Sequence, residues 1–121
     1  MIINCQRSPT IIICNGIISK MVSRSSNWYN GRQIKYKILI THSGLYKISA
    51  LLAGEYPGTI TFDFGNGTKV NGNNQATRGY ANFEWQHMGN IYLEPGEYQL
   101  MISNKQTNSW LKIREFKLEL Q

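Results

Sequence analysis

The sequence predicts an all-β protein, a single β-sandwich of jelly-roll type with about nine strands. Three observations predict it. First, one phrase occurs twice, in Ile34 to Ala53 and again in Met88 to Ser103: an alternating strand ends in a Gly turn and restarts on a Tyr-led strand. The turns are Ser43-Gly44 and Pro95-Gly96, and after Tyr46 and Tyr98 apolar residues recur at every second position. Strand side chains alternate between faces, so each copy reads as two strands with one face buried and one wet. Second, no window carries a helical period of useful length. Third, the chain is rich in Gly and Asn and only 17% charged, which suits short strands joined by many turns.

Taken in order, residues 1 to 27 are the least regular part, an atypical N-terminal segment. Within it Thr10 to Ser19, rich in Ile, reads as one strand or two short ones. Ser23 to Gly31 reads as a polar loop carrying Trp28 and Tyr29. Strands follow at Gln33 to Thr41 and Leu45 to Ala53, and Gly54 to Gly58 turns the chain into TITFDF, where Ile60, Phe62 and Phe64 share one face. Gly65-Asn66-Gly67 is a hairpin turn, because Asn and Gly accept the positive φ such turns need. Asn71 to Gly79 reads as a long polar loop. Phe83 to His87, Ile91 to Leu93, Tyr98 to Ser103 and Trp110 to Leu120 complete the strands, with Trp85 in the core. In the last strand Leu111 and Ile113 share one parity, and Phe116, Leu118 and Leu120 the other. That slip predicts a bulge near Arg114-Glu115.

At 121 residues the chain forms one domain, 1–121, with a real core. No apolar run approaches the roughly 20 residues that cross a bilayer, so no membrane partner is expected. The opening MIINCQRSPTIIICNGII lacks a charged lead and a continuous apolar stretch, and reads poorly as a secretory signal. Cys5 and Cys14 either form one bridge or stay as two small buried thiols; no His or Cys stands at zinc spacing, and neither metal nor cofactor is predicted. The net charge of +6 raises nucleic acid as a partner, but the basic residues are dispersed. Lys35 and Lys37 alternate with Ile34, Tyr36 and Ile38, the pattern of a solvent face, so nucleic acid ranks last. No enzyme is expected. Neither His42 nor His87 neighbours a Ser or Cys nucleophile, and nothing aims Asp63 at Glu84 as a glycosidase pair.

Six phrases follow one another from Trp28 to Leu120: YNGRQIKYKI, SGLYKISALLA, ITFDFGNG, TRGYANFEWQHM, IYLEPGEYQLMI and LKIREFKLEL. In this order they resemble carbohydrate-binding modules of the family 6 and family 35 type, which are galactose-binding-like jelly rolls. The resemblance implies non-catalytic binding of a polysaccharide or glycan through loops at one end of the sandwich. It also implies a glycoside hydrolase module as companion and secretion as the setting. In such modules two aromatics flank a sugar ring, because C–H groups of pyranose faces pack on π-systems while edge hydroxyls need planar donors and acceptors. Carried over by position, the first aromatic is Trp28 or Tyr29 and the second is Tyr80, with Trp85 aligning to a Trp that the family usually buries. Trp28 and Tyr29 serve either as a ligand platform or as a cap on the sandwich, and Tyr80 either contacts ligand or packs at a strand start. The family's terminal Asn falls near Lys112, so its hydrogen-bonding role is lost or has moved to Asn108, with Trp110 lining the same loop end. The acidic opening that holds calcium in many members is absent from residues 1 to 27. The alternative, from a different class, is a structural jelly roll that mediates protein contacts or self-association through strand edges and the Ile-rich segment.

Overall fold

Alternating apolar and polar residues build two stacked sheets, antiparallel but for one parallel pair in the larger, with no helix among the described residues. The structure, a computed structural model, describes residues 6–7, 10–12, 17–21, 27–29, 33–106 and 110–121, with side chains for 33–105 and 111–121. Its strands are β1 (Gln6–Arg7), β2 (Thr10–Ile12), β3 (Ile17–Met21), β4 (Asn27–Tyr29), β5 (Gln33–Ile40), β6 (Gly44–Gly54), β7 (Gly58–Asp63), β8 (Lys69–Asn74), β9 (Gly79–Leu93), β10 (Gly96–Gln106) and β11 (Trp110–Leu120). One sheet has the order β1-β2-β5-β10-β7-β8, and the other β3-β11-β6-β9. The edge of β11 that pairs β3 also pairs β4. Cys5, Cys14 and Asn108 lie outside the described residues.

The core is the set of inward positions that the alternation marks. Ile38, Ile40, Ile60, Phe62, Leu100 and Ile102 of the six-stranded sheet face Tyr46, Ile48, Leu52, Ile113, Phe116 and Leu118 of the other. Phe116 ties the layers together, its ring centroid 5.2 Å from that of Tyr36 and 6.4 Å from that of Phe62. The predicted bulge is present: the β11–β6 register shifts between Ile113 and Glu115, which leaves Arg114 as the extra residue. Asn66 adopts φ 52° in the predicted hairpin turn.

The repeated phrase has a physical cause. Tyr46 Oη donates to the carbonyl of His42 at 2.6 Å, and Tyr98 Oη donates to the carbonyl of Glu94 at 2.8 Å. Each tyrosine therefore reaches back four residues and closes its own turn, and the glycine between (Gly44, φ +154°; Gly96, φ +149°) takes a backbone that L residues rarely adopt. Tyr46→Phe keeps the buried ring and loses the bond. We expect a loss of about 1 kcal/mol in urea unfolding.

Three expectations need correction. Trp28 and Tyr29 belong to a strand, β4, not to a loop: Leu111 and Trp110 of β11 supply the paired backbone. Asn71 to Asn74 extend β8, because Thr residues on β7 compensate for poor strand formers; Thr61 Oγ1 donates to Asn71 Oδ1 at 2.7 Å. Trp85 is not core but 43% exposed. Opposite the small Ala50, the inward position of β9 is taken by Gln86, whose amide grips the backbone of Gln75 at 2.7 and 3.1 Å. Trp85, of the opposite parity, pairs with Leu51 on the outer face. The segments expected as separate strands at 83–87 and 91–93 run on as one, β9, and the short pieces of residues 6–29 bring the described strands to eleven.

Candidate functional site

Register brings the predicted aromatic positions to one end of the five-stranded sheet. Tyr29 pairs with Trp110 and Trp28 with Leu111. On the other side of β11, Lys112 pairs with Ala53, and Gly54 pairs with Gly79 at the start of β9, next to Tyr80. The row β4-β11-β6-β9 spans three strand spacings, roughly 14 Å, so Trp28, Tyr29 and Trp110 form one group and Tyr80 stands across from it. Gln106 and Trp110, which flank the segment containing Asn108, are both at this end. Packing is tight here: a Cβ on Gly54 would sit 3.3 Å from Leu111 Cβ, which holds β6 and β11 close.

The Tyr80 side is held by side chains that short polar residues supply. Thr77 is its clasp. Its N–H donates to the Gly54 carbonyl at 2.8 Å, its hydroxyl accepts from Gly54 N–H at 3.1 Å and donates to the Gly79 carbonyl at 2.9 Å. Asn82 Nδ2 donates to the Arg78 carbonyl at 2.6 Å, and Gln86 grips Gln75 as described. A loop tied at Gln75, Thr77 and Arg78 is ordered before a ligand arrives, so less conformational freedom is lost on binding.

Tyr80 is half-buried and hydrogen-bonds the backbone of Glu55. Burial, reinforced by the nearby Glu55 carboxylate and Tyr56 phenol, pushes its hydroxyl above the ordinary tyrosine value, so it stays a neutral donor and acceptor. Tyr56, 43% exposed, is near enough to act electrostatically on the Tyr80 hydroxyl, and its carbonyl accepts from Asn74 Nδ2 at 3.4 Å. Sequence reading passed over Tyr56 and Glu55 as part of a turn. The available signal was an aromatic in Glu-Tyr-Pro-Gly, in the connection from β6 to β7 that must cross at the same end as Gly79. Two phenols and a carboxylate at one end of a sheet can pack on apolar ring faces and hydrogen-bond hydroxyls.

His42 is an exposed turn residue at the other end of the sandwich, its Nδ1 3.0 Å from Thr41 Oγ1. Asp63 lies in the six-stranded sheet and Glu84 in the five-stranded one. The Asp63 carboxylate accepts from Gly65 N–H at 2.8 Å, a turn-capping role.

No protein-family model matches the chain, and no curated protein matches it. Solved structures do. The carbohydrate-binding module CBM6cm-2 from Cellvibrio mixtus lichenase 5A, in complex with cellotriose, superposes with a TM-score of 0.64 at 20% identity, over 88% of each chain. The C-terminal family 6 module of LamC, a marine laminarinase from Zobellia galactanivorans, gives 0.63 at 19% identity, over 87% of this chain and 89% of that one. A mannanase of Podospora anserina that joins a glycoside hydrolase of family 26 to a family 35 module gives 0.64 at 17% identity. This chain covers 28% of that mannanase, whereas the matches that span nearly the whole of both chains are to carbohydrate-binding modules. At these identities the likeness establishes architecture: the chain has the β-sandwich fold of the family 6 carbohydrate-binding modules.

Proposed function

We propose that this protein is a non-catalytic carbohydrate-binding module that holds a polysaccharide or glycan at the β4-β11-β6-β9 rim. Trp28 or Tyr29, with Trp110, forms one wall, Tyr80 with Tyr56 the other, and Asn108 and Glu55 offer hydrogen bonds to ring hydroxyls. The observation that carries the reading is the register that gathers Trp28, Tyr29, Trp110 and Tyr80 at one end of one sheet, although 82 positions separate Trp28 from Trp110 (110 − 28). The pre-tied Gln75 to Arg78 loop supports it, as does the fold shared with a module that binds cellotriose. A glycoside hydrolase module is the partner this reading implies, as in the mannanase.

Isothermal titration with cellotriose, laminarin and mannan oligosaccharides tests the proposal. We expect saturable heat with at least one of them, lost in a Trp28→Ala/Tyr29→Ala variant that melts like the parent. A silent panel, or heat unchanged by that variant, would contradict it.

A further inference from the structure

The outward face of the five-stranded sheet carries a second arrangement that the rim does not use. β9 presents Phe83 and the exposed Trp85 there, and β11 sends two cations over β6 to meet them. The Arg114 guanidinium carbon lies 4.0 Å from the Phe83 ring centroid, and Lys117 Nζ lies 4.5 Å from that of Trp85. The reach is two strand spacings, roughly 10 Å. The small outward residues of β6, Ala53 and Ser49, leave room for it on either side of Leu51, which pairs with Trp85. Arg114 is the bulge residue, and a bulge re-aims a side chain that regular pairing would place elsewhere.

These contacts hold two long, flexible side chains at fixed points. A cation over an exposed ring gains little by itself, but it pre-positions donors that would otherwise be mobile. Charge on the face is unequal: Lys47, Lys112, Arg114 and Lys117 stand with Glu115 and Glu119, on a chain of net charge +6. Lys117 pairs with Glu119 at 3.7 Å, and Arg114 makes no ion pair among the described residues. Each cation covers one face of its ring, which takes that face from a stacking nucleobase and leaves the rest of the exposed Trp85 for a chain to lie against. The contacting groups are therefore the guanidinium and the ammonium, which pair with carboxylates, and two of them on one face suit a chain that carries carboxylates at intervals.

We propose that this face is a second binding site, for an acidic polysaccharide whose ring carboxylates engage Arg114 and Lys117 while the chain lies along Trp85. The site is independent of the rim, and its ligand differs from a neutral one by charge.

Affinity electrophoresis of the full chain, through gels containing either polygalacturonate or its fully methyl-esterified form, tests the proposal. Polygalacturonate is expected to retard the protein and the uncharged ester to leave it unaffected. An Arg114→Gln/Lys117→Gln variant is expected to bind at least about tenfold more weakly, the loss of one or two charge-assisted bonds. The single Lys117→Gln variant, a milder surface change, is expected to shift in the same direction. Lys69→Gln/Lys105→Gln, which removes the same charge from the other sheet, is expected to bind as the parent does. Tyr56→Ala/Tyr80→Ala is also expected to stay fully retarded, which separates this site from the rim. The proposal is overturned by no retardation in polygalacturonate, by equal losses in the Lys69/Lys105 variant, or by a single-stranded oligothymidylate that binds and is lost in the Arg114/Lys117 variant.

Discussion

A Phe116→Ala variant is expected to lose about 4 kcal/mol of unfolding free energy, the range for deleting a large buried ring from a core that cannot collapse around it. Phe116 is fully buried, and its ring touches Tyr36 and Phe62 of the facing sheet, so its removal opens a void between layers rather than at an edge. Urea unfolding checks this, and Trp85→Ala is the matched contrast. With 43% of Trp85 exposed and one cation on its ring, that substitution is expected to cost under about 1 kcal/mol. Equal losses in the two variants would return Trp85 to the core and contradict the outward register of β9.

The second large effect is on binding. Under the rim reading, Tyr56→Ala and Tyr80→Ala each weaken the saccharide by roughly tenfold, about 1.4 kcal/mol, as an anchoring aromatic does when truncated. Tyr80→Phe divides the Tyr80 effect. It keeps the ring and removes the hydroxyl that bonds the Glu55 backbone, so it is expected to retain most of the affinity with a small loss of thermal stability. Titration of the three variants with the same oligosaccharide reads the order Tyr80→Phe above Tyr80→Ala and Tyr56→Ala. Full affinity in Tyr56→Ala would remove Tyr56 from the site and leave Tyr80 alone on that wall.

Much of the architecture was legible because strand periodicity acts locally. Ile60, Phe62 and Phe64 alternate in six residues, and the parity slip at Arg114 announces the bulge without any partner strand in view. The turn tyrosines were visible as a pattern, though not their reason, since a hydroxyl reaching back four residues is a tertiary contact that spacing alone does not specify. Trp85 misled for a related cause. Its polar neighbours Glu84 and Gln86 suggest an inward tryptophan, yet Gln86 takes the inward place because it must hold Gln75, eleven residues away.

The candidate site divides the same way. Trp28, Tyr29, Tyr80 and Trp110 were named from residue type and order, but only the pairing of β4 with β11 and of Gly54 with Gly79 puts their backbones on one rim. Tyr56 was missed because its turn looked complete in itself. Its place comes from the pairing of Gly54 with Gly79, which brings its turn to the strand start that carries Tyr80.

The most direct measurement is a two-dimensional amide correlation spectrum of the labelled protein during titration with cellotriose or the best oligosaccharide of the panel. The account predicts that perturbed amides fall at Trp28, Tyr29, Gly54 to Tyr56, Thr77 to Tyr80 and Trp110 to Lys112, and leave Phe83, Trp85 and Lys117 in place. Perturbations confined to a sheet face, or to the His42 end of the sandwich, would contradict it.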